Sequence, residues 1–111
     1  MKVVFNKIIP FPGFSAINLF GIMFVRKGAY RNDIVPAKTY RHESIHTEQM
    51  MEMGYIVFYI WYFIEWFIRL FINGKNAYYN ISFEREAYKN QDDKSYLEKR
   101  KRYNWLNYYG K

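Results

Sequence analysis

The chain has no cysteine, which excludes a disulfide framework and any thiolate metal site and suits a reducing compartment. It has two histidines, His42 and His46, in 111 residues, so imidazole chemistry is confined to one stretch. Proline (3) and glycine (6) are scarce. With no low-complexity linker and no internal repeat, one domain over residues 1–111 with one modest core is expected. Acidic residues are few: ten Asp and Glu against 17 Lys and Arg give a net charge of +7. The excess is uneven, because residues 94–111 hold six Lys and Arg against one Glu, or +5, leaving +2 for the rest. Basic character therefore belongs to the tail. A clean hydrophobic leader is also missing, since Pro10, Pro12, Gly13 and Asn18 interrupt the apolar N-terminal stretch. That makes a poor signal peptide, so a cytoplasmic or membrane-associated location is expected. Asn80-Ile81-Ser82 then matches the glycosylation pattern by coincidence.

What the chain does have is aromatic mass. Composition is 50% hydrophobic and 23% aromatic, with 12 Tyr and 10 Phe, which excludes a disordered chain. Residues 2–9 are rich in β-branched types and read as a strand. Pro10-Phe11-Pro12-Gly13 reads as a turn, and residues 16–26 as a second strand. After a polar loop over 27–35, Pro36 suits the first turn of a helix running to about residue 53. Gly54 breaks it. Residues 55–72 form an almost wholly apolar helix stopped by Asn73-Gly74, with Glu65 and Arg69 spaced to pair on one face. Ser82 can cap a short helix. Ser95-Tyr96-Leu97-Glu98 reads as a capping box opening a last helix over 96–107. The expected class is α+β, a short N-terminal β-sheet followed by about four helices.

Within the first helix stands His42-Glu43-Ser44-Ile45-His46, an instance of H-E-x-x-H. On a helix the two imidazoles lie one turn apart on one face and reach a common ion. Glu43 is rotated about 100° away, near enough to take a proton from a metal-bound water. With no Cys and no third His, only Asp or Glu can complete the site. Glu84 and Glu86, in Phe83-Glu84-Arg85-Glu86-Ala87-Tyr88, compete for that place. Glu84 is preferred because Ala87 on its face permits close helix approach, whereas Glu86 beside Lys89 reads as solvent-facing. Gln49, on the histidine face, could hold a histidine tautomer but reads first as a surface residue.

The pattern R-H-E-x-I-H-x-x-Q-x-x-E, an aromatic helix, then F-E-R-E-A-Y, resembles the gluzincin branch of zinc metallopeptidases. More narrowly it is similar to short "minimal gluzincin" proteins, over residues 14–109 in order and spacing. The resemblance implies a small zincin-like domain in which His42, His46 and Glu84 ligate Zn2+ and Glu43 is the general base for peptide hydrolysis. Tyr88 stands where many relatives with E-x-x-A carry Asp. The donor that helps zinc stabilise the oxyanion is open among Tyr78, Tyr79, Tyr88 and Arg85, each of which also suits a packing role. A peptide or protein substrate would lie along a sheet edge, with the strand over 19–25 as the candidate. The alternative is a non-catalytic module, zinc-stapled, for interaction or membrane association.

The apolar helix has the minimum length of a membrane span. Against a span stand Glu65 in mid-segment, Tyr and Trp spread throughout, and ends that both return to one site. Burial by its own domain and a second subunit is the first expectation, with membrane contact the other. The run Lys99-Arg100-Lys101-Arg102 reads as a solvated helix face; an anionic membrane surface comes next and nucleic acid last.

Overall fold

A computed structural model describes residues 1–9 and 14–109; the turn expected at 10–13 lies outside them. The fold is α+β, with a three-stranded sheet followed by four helices among the described residues. The strands are β1 (Lys2–Asn6), β2 (Ala16–Leu19) and β3 (Ile22–Arg26), in the order β1-β3-β2. β1 runs parallel to β3 and β2 antiparallel to it. The expected single strand over 16–26 is thus a hairpin. Phe20 and Gly21 both take positive φ (54° and 85°), the geometry of a tight two-residue hairpin turn. A phenylalanine gives no sequence sign of such a turn. β3 is the central strand, so the edges of the sheet are β1 and β2 rather than the strand expected over 19–25. β1 stops at Asn6, whose side-chain oxygen accepts the backbone N–H groups of Ile8 and Ile9.

Alternation along β3 buries Met23 and Val25. Against the sheet lies α1 (Ala37–Met53), tied to it by Asn18, whose amide donates to the Glu43 carbonyl and to Thr47 Oγ1. Gly54, at φ 68°, ends α1 and donates its N–H to the Met50 carbonyl, a left-handed cap that suits glycine. The apolar helix α2 (Ile56–Asn73) follows. Two short 3-10 turns then carry the chain back to α3 (Ser82–Asn90). Met50, Phe58, Ile81, Phe83 and Trp105 form the main core. Ala87 of α3 packs with Ile45 of α1 and Tyr96 in a smaller one, so α1 and α3 approach closely at the alanine.

Ser82 is the first residue of α3 rather than its cap, and the cap comes from α2. Glu65 accepts both the backbone N–H and the Oγ–H of Ser82, a carboxylate at a helix N-terminus. That contact, rather than the expected pairing with Arg69, is what the buried Glu65 makes. The expected last helix also breaks. α4 covers only Tyr96–Lys99, Arg100 is extended, and a 3-10 turn follows over Asn104–Tyr108. The capping box does not form, because the Ser95 hydroxyl donates to Asp93 instead. Nor is α2 covered by its own domain: of its 18 residues only Phe58 and Glu65 are buried. By length and composition the stretch Ile56–Asn76 could cross a membrane.

Candidate metal centre

α1 presents His42 and His46 one turn apart, and α3 brings Glu84 across to them. The two Nε2 atoms are 3.2 Å apart. Glu84 Oε1 lies 3.1 Å from His42 Nε2 and 3.0 Å from His46 Nε2. All three residues are buried. A tetrahedral ion at about 2.0–2.2 Å from N and O ligands separates them by roughly 3.3–3.6 Å. The observed triangle therefore needs to open by only a few tenths of an ångström to seat a metal ion. The three residues form a cluster able to hold one.

The outward ring nitrogens show why this triangle exists. His46 Nδ1 meets Gln49 Oε1 at 2.8 Å. The Gln49 amide nitrogen donates to the Phe83 carbonyl and to Glu86 Oε1, both acceptors only. That fixes the amide orientation, so His46 Nδ1 must carry the proton and Nε2 turns a lone pair inward. His42 Nδ1 lies 2.8 Å from Gln91 Oε1, a contact that gives His42 the same tautomer when that oxygen accepts. Arg41 holds that end of α3 through the Gln91 carbonyl. Two lone pairs and a carboxylate oxygen thus face a common point, an arrangement that asks for a cation. Burial alone would lower the affinity of His46 for a proton, but Glu84, helped by Glu43 and Gln49, outweighs it and lifts its pKa to about 10. Proton and metal compete for the same lone pair. Burial would raise Glu84, yet His46 and His42 beside it hold its carboxyl well below the usual carboxylate range. Tyr62 donates to Glu84 Oε2 at 2.8 Å and leaves Oε1 to the histidines.

Glu43 lines a cavity of about 500 Å³ together with His46 and Glu84. Its carboxylate accepts no hydrogen bond among the described residues. Burial raises its pKa above the ordinary value, opposed by His46 and His42. β2 forms one wall of the cavity through Ala16, Ile17, Asn18 and Leu19. Of the four oxyanion candidates, Tyr78 lines the cavity. Tyr88 packs edge-on against the His42 ring with centroids 4.4 Å apart and shares a hydroxyl contact with Tyr78. Tyr79 packs on Tyr78 and Tyr88. Arg85 is turned away, donating to Asn80 and to the Tyr108 carbonyl.

Two readings from sequence are corrected. Gln49 is fully buried, because its amide bridges His46 to α3. Glu86 is fully buried too: it accepts from Gln49, from the Tyr96 hydroxyl and from Arg100. The Arg100 guanidinium also grips Glu52 with two bonds, so one of the four tail cations is an interior residue. Tyr62 and Gln91, which touch the cluster, carried no signal in the sequence beyond their type. Comparison with family models, curated proteins and solved structures finds no match. The centre stands on its own geometry.

Proposed function

We propose that this chain is a zinc-dependent hydrolase acting on peptide bonds, with His42, His46 and Glu84 as ligands and Glu43 as general base. The observation that carries the reading is the convergence of two Nε2 lone pairs and a carboxylate oxygen at a cavity that Glu43 also lines. Zinc is favoured among divalent ions by the donor set, two imidazoles, one carboxylate and no other protein ligand. Bound there, it supplies a Lewis acid and a water whose pKa falls to about 7. Glu43 takes the proton of the attacking water and hands it to the leaving amine. Tyr78 is assigned as the donor to the developing oxyanion, and support for that choice is its position in the cavity wall. β2 pairs on one side only, so an extended peptide can add along it and lay its carbonyl toward the cluster. Support for the zincin-like relationship is the resemblance of the motifs together with this arrangement.

Metal analysis and peptide hydrolysis test the reading together. The untagged protein should carry one equivalent of zinc, lost in His46→Ala and Glu84→Ala. Glu43→Gln should keep the zinc and lose hydrolysis. Wild type and Glu43→Gln equally inert over a broad peptide panel, both zinc-loaded, would instead assign the metal a stapling role.

A further inference from the structure

Helix α2 is built inside out. Viewed down its axis, Phe58, Tyr59, Tyr62, Glu65, Trp66, Arg69 and Asn73 fall within an arc of about 120° at 100° per residue. Every charged and amide-bearing residue of the helix lies in that arc, which faces α1, α3 and the return over 74–80. The remaining arc, about 200° wide, carries only Ile, Val, Leu, Phe and Trp. Each of these side chains is exposed, from Leu70 at 37% to Phe71 at 79%. A face of this kind facing water is a large standing cost, and contiguous apolar patches of this size mark an interaction surface.

Its width decides what covers it. A partner helix seated on α2 takes a stripe of about 100° and leaves the other half wet. Close pairing of helices within a membrane uses small residues, and this arc has none. A bilayer covers the whole arc at once. Charge agrees, since the protein carries +7 and an exposed Lys75 follows directly on the end of the face. At the margin of the arc Trp61 donates its indole N–H to the Tyr109 hydroxyl, an amphipathic pair suited to a headgroup boundary. The exposed Phe20 packs at a tilt against Tyr55 and Tyr59 at the start of α2, extending the apolar surface to the β2–β3 turn. The inner arc is occupied by protein and carries Glu65 and Arg69, so lipid cannot surround the helix.

We propose that α2 docks the protein onto an anionic phospholipid bilayer, lying in the interface plane with its outer face in the acyl region. The proposal does not depend on the metal chemistry. Full-length protein floated with vesicles of phosphatidylcholine, with or without phosphatidylglycerol, tests it. Binding to both is expected, stronger with the anionic lipid, and the part on neutral vesicles should survive high salt. Ile64→Asp with Phe67→Asp, both near the middle of the face, should cut binding about tenfold or more while zinc content and far-UV circular dichroism hold. Brominated phospholipid should quench tryptophan fluorescence, and the conservative Trp61→Phe should remove most of the quenching. Failure to float with either vesicle overturns the proposal, as does quenching unchanged in Trp61→Phe. A discrete dimer that the double substitution dissolves, without vesicle binding, would give the face to a second copy.

Discussion

Gln49 accepts the Nδ1 proton of His46 at 2.8 Å and is itself held by two acceptors on α3, the Phe83 carbonyl and Glu86. One amide thus sets which histidine nitrogen faces the metal site and fastens α1 to α3. Gln49→Leu keeps the volume and loses both functions. Its metal affinity should fall about 10- to 100-fold, the usual effect of removing a ligand's outer partner. Competition with a chromophoric chelator measures that. An unchanged affinity would show that His46 holds its tautomer without help.

The residues that gave the site away in the sequence were those whose role is local. Two histidines four apart are geometry within one helix, so their convergence was legible, as were the limits of α1 and α2 to within a residue or so. Glu84 was legible through the small residue on its face, whereas Ser82 marked the helix start but not its cap, which comes from Glu65. Gln49, Glu86 and Arg100 were not. Each is buried by a partner far along the chain: Gln49 by α3, Glu86 by Arg100, and Arg100 by Glu52, 48 residues away. Nothing in Lys99-Arg100-Lys101-Arg102 marks which of four cations turns inward. The hairpin was hidden for a different reason: Gly21 and the Asn18 side chain that accepts its N–H supply part of the turn chemistry, but the other positive-φ position is Phe20, whose ring packs on Tyr55 and Tyr59, both distant in the sequence.

Glu65 links α2 to the candidate metal centre. It caps α3 through Ser82, two residues before Glu84. Glu65→Ala leaves a buried N–H and a buried hydroxyl without an acceptor, and should destabilise the fold by about 1–3 kcal/mol. Glu65→Gln keeps one acceptor and should cost less. Urea unfolding followed by circular dichroism ranks the two, and equal losses would mean that the charge rather than the acceptor count does the capping.

Arg100 is shared between Glu52 and Glu86, and its side chain is only 4% exposed. Arg100→Met removes the one cation between two largely buried carboxylates. The expected loss is about 3–5 kcal/mol, the range for breaking a buried ion pair from one side. Lys99→Met, at a pair that is largely exposed, should change stability by less than about 1 kcal/mol. Comparable losses at the two positions would contradict the interior placement of Arg100.

Removal of the metal should register in stability before it registers in any assay of activity. Without a cation the His42, His46 and Glu84 ligand atoms crowd one another inside the protein, and a proton on His46 is the substitute. Binding to the folded state alone stabilises by about 2.7 kcal/mol when free metal is a hundredfold above its dissociation constant. For a chain of this length that is a rise in Tm of roughly 10 °C. Chelator should reverse the rise, and added zinc should restore it. Glu84→Ala should show neither change, whereas Glu43→Gln should respond as wild type does, because Glu43 is not a ligand. A chelator-insensitive Tm in the wild type, with no zinc in the protein, would leave the triangle as a charge-paired histidine cluster and remove the basis for hydrolysis.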